Sequence, residues 1–212
     1  MRAQMTQATR TPKEMRTAPA STRRLEIASL AAELFDARGY HDTSMEDIAE
    51  AVGLRKPTLY HYFKSKDEIL YEIHNEMIDL INSRHEARLA AGVESQSAAL
   101  KALMGDVIEL METHPGHLRI FFEHHRELPG EYKAAIREKR ARFRQYVKDA
   151  ISRGIADGEF HDVDVEMTTL AVLGMANWTY QWLRPSSGRT AAEVTDSFWR
   201  LAMRGIAVDP VD

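Results

Sequence analysis

Six side chains in the eight residues from Arg55 to Tyr62 carry the densest chemistry in this sequence: Arg55, Lys56, Thr58, Tyr60, His61 and Tyr62. They are cations, hydroxyls and rings, the groups that reach phosphate oxygens and base edges in a DNA major groove. A second concentration is Asn177-Trp-Thr-Tyr-Gln-Trp-Leu-Arg184. On a continuous helix Asn177, Gln181 and Arg184 share one face, with Trp178 and Trp182 beside it, an arrangement suited to an extended ligand with an anionic head. A third is the histidine group His114, His117, His124 and His125. Histidine clusters bind zinc or nickel. Here Pro115-Gly116 interrupts the spacing, so surface histidines and no metal are expected. No nucleophile–base constellation, phosphate loop or glycine-rich dinucleotide fingerprint occurs. The sequence indicates neither an enzyme nor a cofactor.

The elements that position these groups read as helices throughout. Ile27, Leu30, Ala31, Leu34 and Phe35 form one apolar face of a helix ending at Gly39. Thr43-Ser-Met-Glu46 has the pattern of a capping box, in which a hydroxyl and a carboxylate satisfy free amides at a helix start. The short helix it opens buries Met45, Ile48, Ala49 and Val52 and stops at Gly53. Pro57 suits the first turn of a third short helix, whose Leu54, Leu59 and Phe63 face the core. Two short helices joined by a glycine turn make a helix-turn-helix. Ser65-Lys-Asp-Glu68 opens a long helix in the same way. Further amphipathic helices follow around Leu100–Met111, Tyr132–Ile151, 163–183 and 190–205, the last opened by Thr190-Ala-Ala-Glu193. The expected fold is all-α, about nine helices without a sheet.

Composition bounds the rest. The chain has 212 residues, 44% of them hydrophobic, which is ordinary for a globular protein. It has no cysteine, which excludes disulfides and thiolate sites. No apolar run is long enough for a membrane span, and the basic N-terminus lacks the apolar stretch of a secretory signal. A cytoplasmic protein is expected. The net charge of −4 hides an asymmetry: residues 1–66 hold 11 basic and 8 acidic side chains, and 1–24 hold six and one. Four divisions follow: a disordered basic arm (1–21), a helix-turn-helix domain (22–67), a helical body (68–207) and a short tail (208–212).

The first of these helices, ending Phe35-Asp-Ala-Arg-Gly39-Tyr40, then Thr43, Ile48-Ala49, Gly53, Thr58-Leu-Tyr-His-Tyr-Phe63 and Ser65-Lys66, closely resembles the TetR family of bacterial transcription regulators. The resemblance covers about residues 22–70. It implies that Thr43, Tyr60, His61 and Lys66 contact backbone phosphates. Arg55, Lys56 and Thr58 are then the base readers, with Arg55 pairing to a guanine and the Thr58 methyl packing on a thymine. The basic arm either reaches a neighbouring minor groove or is a solvated tail.

The family's last two helices form a dimer interface, which implies a homodimer reading a near-palindromic operator on double-stranded DNA. Ala171, Gly174 and Trp178 are a small-small-large stripe suited to that interface or to packing within one subunit. The remaining helices would enclose a small hydrophobic effector. Candidate lining residues are Met104, Ile108, Met111, Phe121, Phe122, Tyr146, Trp178, Gln181, Trp182 and Arg184, with ordinary core packing as the alternative. The 177–188 segment resembles that of TetR-type repressors of fatty-acid and sterol degradation, which respond to acyl-CoA thioesters. The basic stretch Arg137, Lys139, Arg140, Arg142 and Arg144 either fits that picture or is a solvated face. The competing reading is a helical ligand-binding or adaptor protein whose helix-turn-helix touches no DNA.

Overall fold

A computed structural model describes residues 20–206. Among them are nine α-helices and no strand. The chain divides into two compact units, with the boundary between Glu72 and Ile73. The N-terminal arm at 1–19 and the tail from 207 lie outside the described residues.

In the first unit α1 (Ala20–Arg38) begins two residues earlier than the sequence pattern suggests. It buries Ile27, Ala28, Ala31, Ala32 and Phe35. Gly39 ends it in the left-handed conformation, at φ +92°. Then come α2 (Met45–Ala51), α3 (Lys56–Tyr62) and the start of α4 (Lys66–Ala91). Arg23 and Arg24, two of the six basic residues within 1–24, pack against this unit. Arg23 is buried and donates to the Val52 carbonyl at 3.1 Å and to Glu26 at 3.0 Å. Arg24 pairs with Glu72 at 2.7 Å and Glu68 at 3.2 Å, donates to the Tyr62 carbonyl, and lies 4.0 Å from the centre of the Phe63 ring. Helical periodicity turns both side chains inward, where carbonyls and carboxylates wait.

The second unit contains the rest of α4, then α5 (Gln96–Thr113), α6 (Pro115–Glu123), α7 (Gly130–Ala156), α8 (Val165–Trp178) and α9 (Ala191–Ile206). α5 is the central element, packed by α6, α7, α8 and α9. Leu100, Leu103, Met104, Val107, Ile108, Leu110 and Met111 are all buried there. Asp106 is buried among them and answered by Arg84 and Arg88 from α4. α9 starts on a full capping box. The Thr190 hydroxyl accepts the Glu193 amide at 3.2 Å, and the Glu193 carboxylate accepts the Thr190 amide at 2.8 Å. Gly154 is required by a close approach: a Cβ there would sit 2.3 Å from the Phe160 ring. No described helix is long and apolar enough to cross a membrane.

Candidate functional site

The DNA-facing candidate is built on α2 and α3. The capping box that opens α2 is shifted one residue from the sequence reading. Ser44, not Thr43, is the N-cap. Its hydroxyl accepts the Asp47 amide at 3.1 Å, and Asp47 accepts the Ser44 amide at 2.8 Å. Hydrogen bonding to Ser44 holds the Asp47 carboxyl below the usual carboxylate range. Thr43 is 1% exposed, and its hydroxyl donates to the Gly39 carbonyl at 2.8 Å. Thr43, which the resemblance makes a phosphate contact, here spends its hydroxyl closing the turn between α1 and α2. The reason is Gly39, whose left-handed backbone presents its carbonyl to the residue four positions on.

Gly53, at φ +65°, makes the turn into α3, and the Leu54 amide returns to the Ala49 carbonyl at 2.8 Å. The Arg55 carbonyl accepts the first α3 amides, and Pro57 occupies the first turn. Leu59 and Phe63 are fully buried. They fix the helix so that Arg55, Lys56, Thr58, Tyr60 and His61 all stand exposed. Lys56 makes a solvent-exposed pair with Glu46 at 3.1 Å, an interaction weak enough to exchange for a nucleic-acid anion.

Lys66 is engaged differently from the sequence expectation. Its ammonium donates to the carbonyls of Tyr40 at 2.6 Å, Thr43 at 2.9 Å and His41 at 3.3 Å, and lies 4.4 Å from the centre of the Tyr40 ring. An ammonium has three donors, and all three are taken. Lys66, which the resemblance makes a phosphate clamp, here ties residues 40–43 to the start of α4. Tyr40, which also donates to Asp67, is the partner that the sequence reading missed.

The ligand-site candidate is a cavity of about 280 Å³ within the second unit. Met77, Ile78 and Ile81 of α4, Val107 and Leu110 of α5, Leu118, Phe121 and Phe122 of α6, Phe143 of α7 and Leu173 of α8 make its apolar wall. Phe121 and Phe122 were expected in it. Met104, Ile108 and Met111 are core instead, and Tyr146 packs against His85 and donates to Glu86. The 177–184 segment does not form the expected continuous helix. α8 ends at Trp178, followed by short 3-10 turns at Thr179–Gln181 and Pro185–Ser187. The Thr179 hydroxyl takes the Ala176 carbonyl at 2.6 Å, and Pro185 disfavours helix before it. Asn177, Gln181 and Arg184 therefore share no face. Asn177 lines the cavity, while Gln181, Trp182 and Arg184 are exposed and line no part of it. Trp178 is 63% exposed. The ligand contacts assigned to Met104, Met111, Trp178, Gln181, Trp182 and Arg184 are thus absent from this cavity.

What the sequence reading left open was α7. Arg137, Arg140 and Arg144 recur at helical spacing and all line the cavity. Arg140 donates to the Phe121 carbonyl at 2.6 Å and stacks 3.9 Å from the Phe121 ring centre. Burial pulls its guanidinium down to about 10, still cationic at neutral pH. A second, larger depression between α5 and α9 is bordered by Asp106, Glu109, Glu112 and Asp196 together with Arg88 and Lys101, which pair with Asp106 and Asp196. The histidines also differ from expectation. His117 is buried rather than on the surface, and desolvation lowers it to about 4.

A helix-turn-helix with an exposed polar face, followed by an all-helical unit that holds a cavity, is the layout of a DNA-binding transcriptional regulator. Residues 27–73 match the family model for bacterial regulatory proteins of the tetR family, and residues 93–206 match the tetracyclin repressor-like C-terminal domain. The chain belongs to the TetR family. It is 29% identical over 189 residues to the HTH-type transcriptional repressor KstR2 of Rhodococcus jostii, covering 88% of this chain and 92% of that one. The ketosteroid transcriptional regulator KstR2 of Mycobacterium tuberculosis superposes with a TM-score of 0.80 at 26% identity, over 88% and 96% of the two chains. The regulator AibR, crystallised with isovaleryl coenzyme A and operator DNA, superposes with a TM-score of 0.74 at 28% identity, over 84% and 97%. These relatives are transcriptional regulators, not enzymes.

Proposed function

We propose that this chain is a homodimeric repressor that holds a near-palindromic operator through α3 and releases it when a hydrophobic effector of the acyl-CoA class fills the cavity. The observation that carries the DNA half is the exposed row Arg55, Lys56, Thr58, Tyr60 and His61 on a helix locked by Leu59 and Phe63. Arg55, Lys56 and Thr58 read bases, and Tyr60 and His61 hold phosphates. The effector half is supported by the apolar cavity with its arginines and by the coenzyme A thioester bound to the relative AibR.

The dimer is supported by apolar side chains left in solvent. Met167 (61% exposed), Leu170 and Trp178 on α8 and Leu201 (64%) on α9 are bare, and Gly174 has open space above it. Exposure of this kind marks a protein–protein surface. The test is a gel shift on the DNA upstream of the coding sequence, with and without an acyl-CoA. Wild type should bind and the thioester should release it. Arg55→Ala should cost about 1–3 kcal/mol on the native site and relax selection at particular base pairs. Sedimentation should give a dimer at micromolar concentration and a monomer for Gly174→Arg, which would bury an unpaired charge. A wild-type monomer without DNA affinity would overturn the proposal.

A further inference from the structure

We infer that the arginine stripe of α7, centred on Arg140, is an anion subsite for an amphiphile whose apolar body fills the cavity. This assignment deepens the effector reading above and rests on it. Arg137, Arg140 and Arg144 are the cations of α7 that line the cavity. Among the described residues, no carboxylate pairs with any of the three. Three other cations of the same helix have carboxylate partners: Lys139 with Asp79 at 2.7 Å, Arg142 with Glu86 at 4.0 Å and Lys148 with Glu166. Lys133 and Arg153, at the two ends of the helix and outside the cavity lining, have no carboxylate partner either, so what sets Arg140 apart is its burial.

Arg140 is the innermost of the three. One of its terminal nitrogens holds the Phe121 carbonyl, but its Nε is buried without any acceptor. A buried guanidinium donor with neither acceptor nor counter-charge is costly, and an oxyanion supplies both at once. The walls around it are otherwise hydrocarbon and aromatic, with Asn177 as the one other polar side chain. A ligand that satisfies this site carries an anionic oxygen group on an apolar chain. A free carboxylate and the phosphates of a coenzyme A thioester both meet that description. The same guanidinium rests on Phe121, whose ring centre lies 5.4 Å from that of His74 on α4. The group that reads the anion therefore also braces the contact of α6 with α4.

The test is calorimetry on the full chain with decanoyl-CoA, decanoic acid and decanol. Wild type should bind at least one of the two anions at least about ten-fold more tightly than the alcohol. Arg140→Gln should weaken that anion by at least about ten-fold and leave decanol unchanged, while Arg140→Lys recovers part of the loss. Circular dichroism and melting of each variant verify folding, and Arg144→Gln provides an independent substitution nearer the solvent. Loss confined to decanoyl-CoA supports the subsite and assigns it to the coenzyme phosphates; loss for the acid supports it and assigns it to a carboxylate. If the anions bind wild type and both glutamine variants alike, the effector reading stands and the arginine assignment falls. Equal weakening of all three probes would show a purely structural role and overturn it. If neither anion binds wild type, both readings of the cavity fall, while operator binding is judged separately by the gel shift.

Discussion

Arg24 and Arg140 are built almost alike and serve opposite ends. Each guanidinium lies over a phenylalanine ring, at 4.0 and 3.9 Å, and each donates to a main-chain carbonyl of another helix. Arg24 has two carboxylates as well, Glu68 and Glu72. Arg140 has none. Burial lowers both guanidinium pKa values, but at Arg24 the hydrogen bonds and charges of Glu72 and Glu68 outweigh it, so the net shift is upward. At Arg140 burial acts alone and the shift is downward, to about 10. The difference separates a cation that completes a fold from one available to the proposed anion. The first finds its counter-charge in its own chain, and the second does not.

His117 supplies the largest test of that distinction, because a histidine can discharge where an arginine cannot. It is buried with its pKa lowered from 6.5 to about 4, by desolvation first and then by His114. Between those values the unfolded chain binds the proton and the folded one does not. Stability is therefore full above pH 6.5, falls as the pH drops towards 4, and loses no more from this group below it. The loss should be about 3 kcal/mol. Urea titrations of wild type and His117→Gln across this range should show a flatter profile for the variant.

Arg24→Met should come next, destabilising the protein by about 2 kcal/mol, because two carboxylates and the Tyr62 carbonyl lose a shared donor. Lys66→Met should cost about 1 kcal/mol for its carbonyl contacts and weaken all operators alike. An unchanged salt slope would support the positioning role, and a slope reduced by about one would restore the phosphate contact. Arg140→Met should have the smallest effect, within about 1 kcal/mol, since the lost hydrogen bond is offset by removal of an unpaired charge. A loss as large as that of Arg24→Met in the same denaturant series would erase the contrast.

The sequence alone determined the helices, the turn at Gly53, the inward Leu59 and Phe63, and the outward polar row of α3. These follow from local periodicity, and on a helix of seven residues exposure is fixed by spacing. It placed the first capping box one residue early because Thr43 and Ser44 are equivalent hydroxyls in a pattern; only the turn at Gly39, which takes the Thr43 hydroxyl, distinguishes them. It could not show that Trp178 faces solvent, because one aromatic at helical spacing fits a core, a pocket or a partner equally well. Nor could it sort the five basic residues between Arg137 and Arg144. Asp79 and Glu86, which neutralise two of them, lie on α4, more than fifty residues away in sequence. Which cations keep their charge free is decided by which carboxylates the tertiary fold brings within about 4 Å, a distance over which charges in a protein interact strongly.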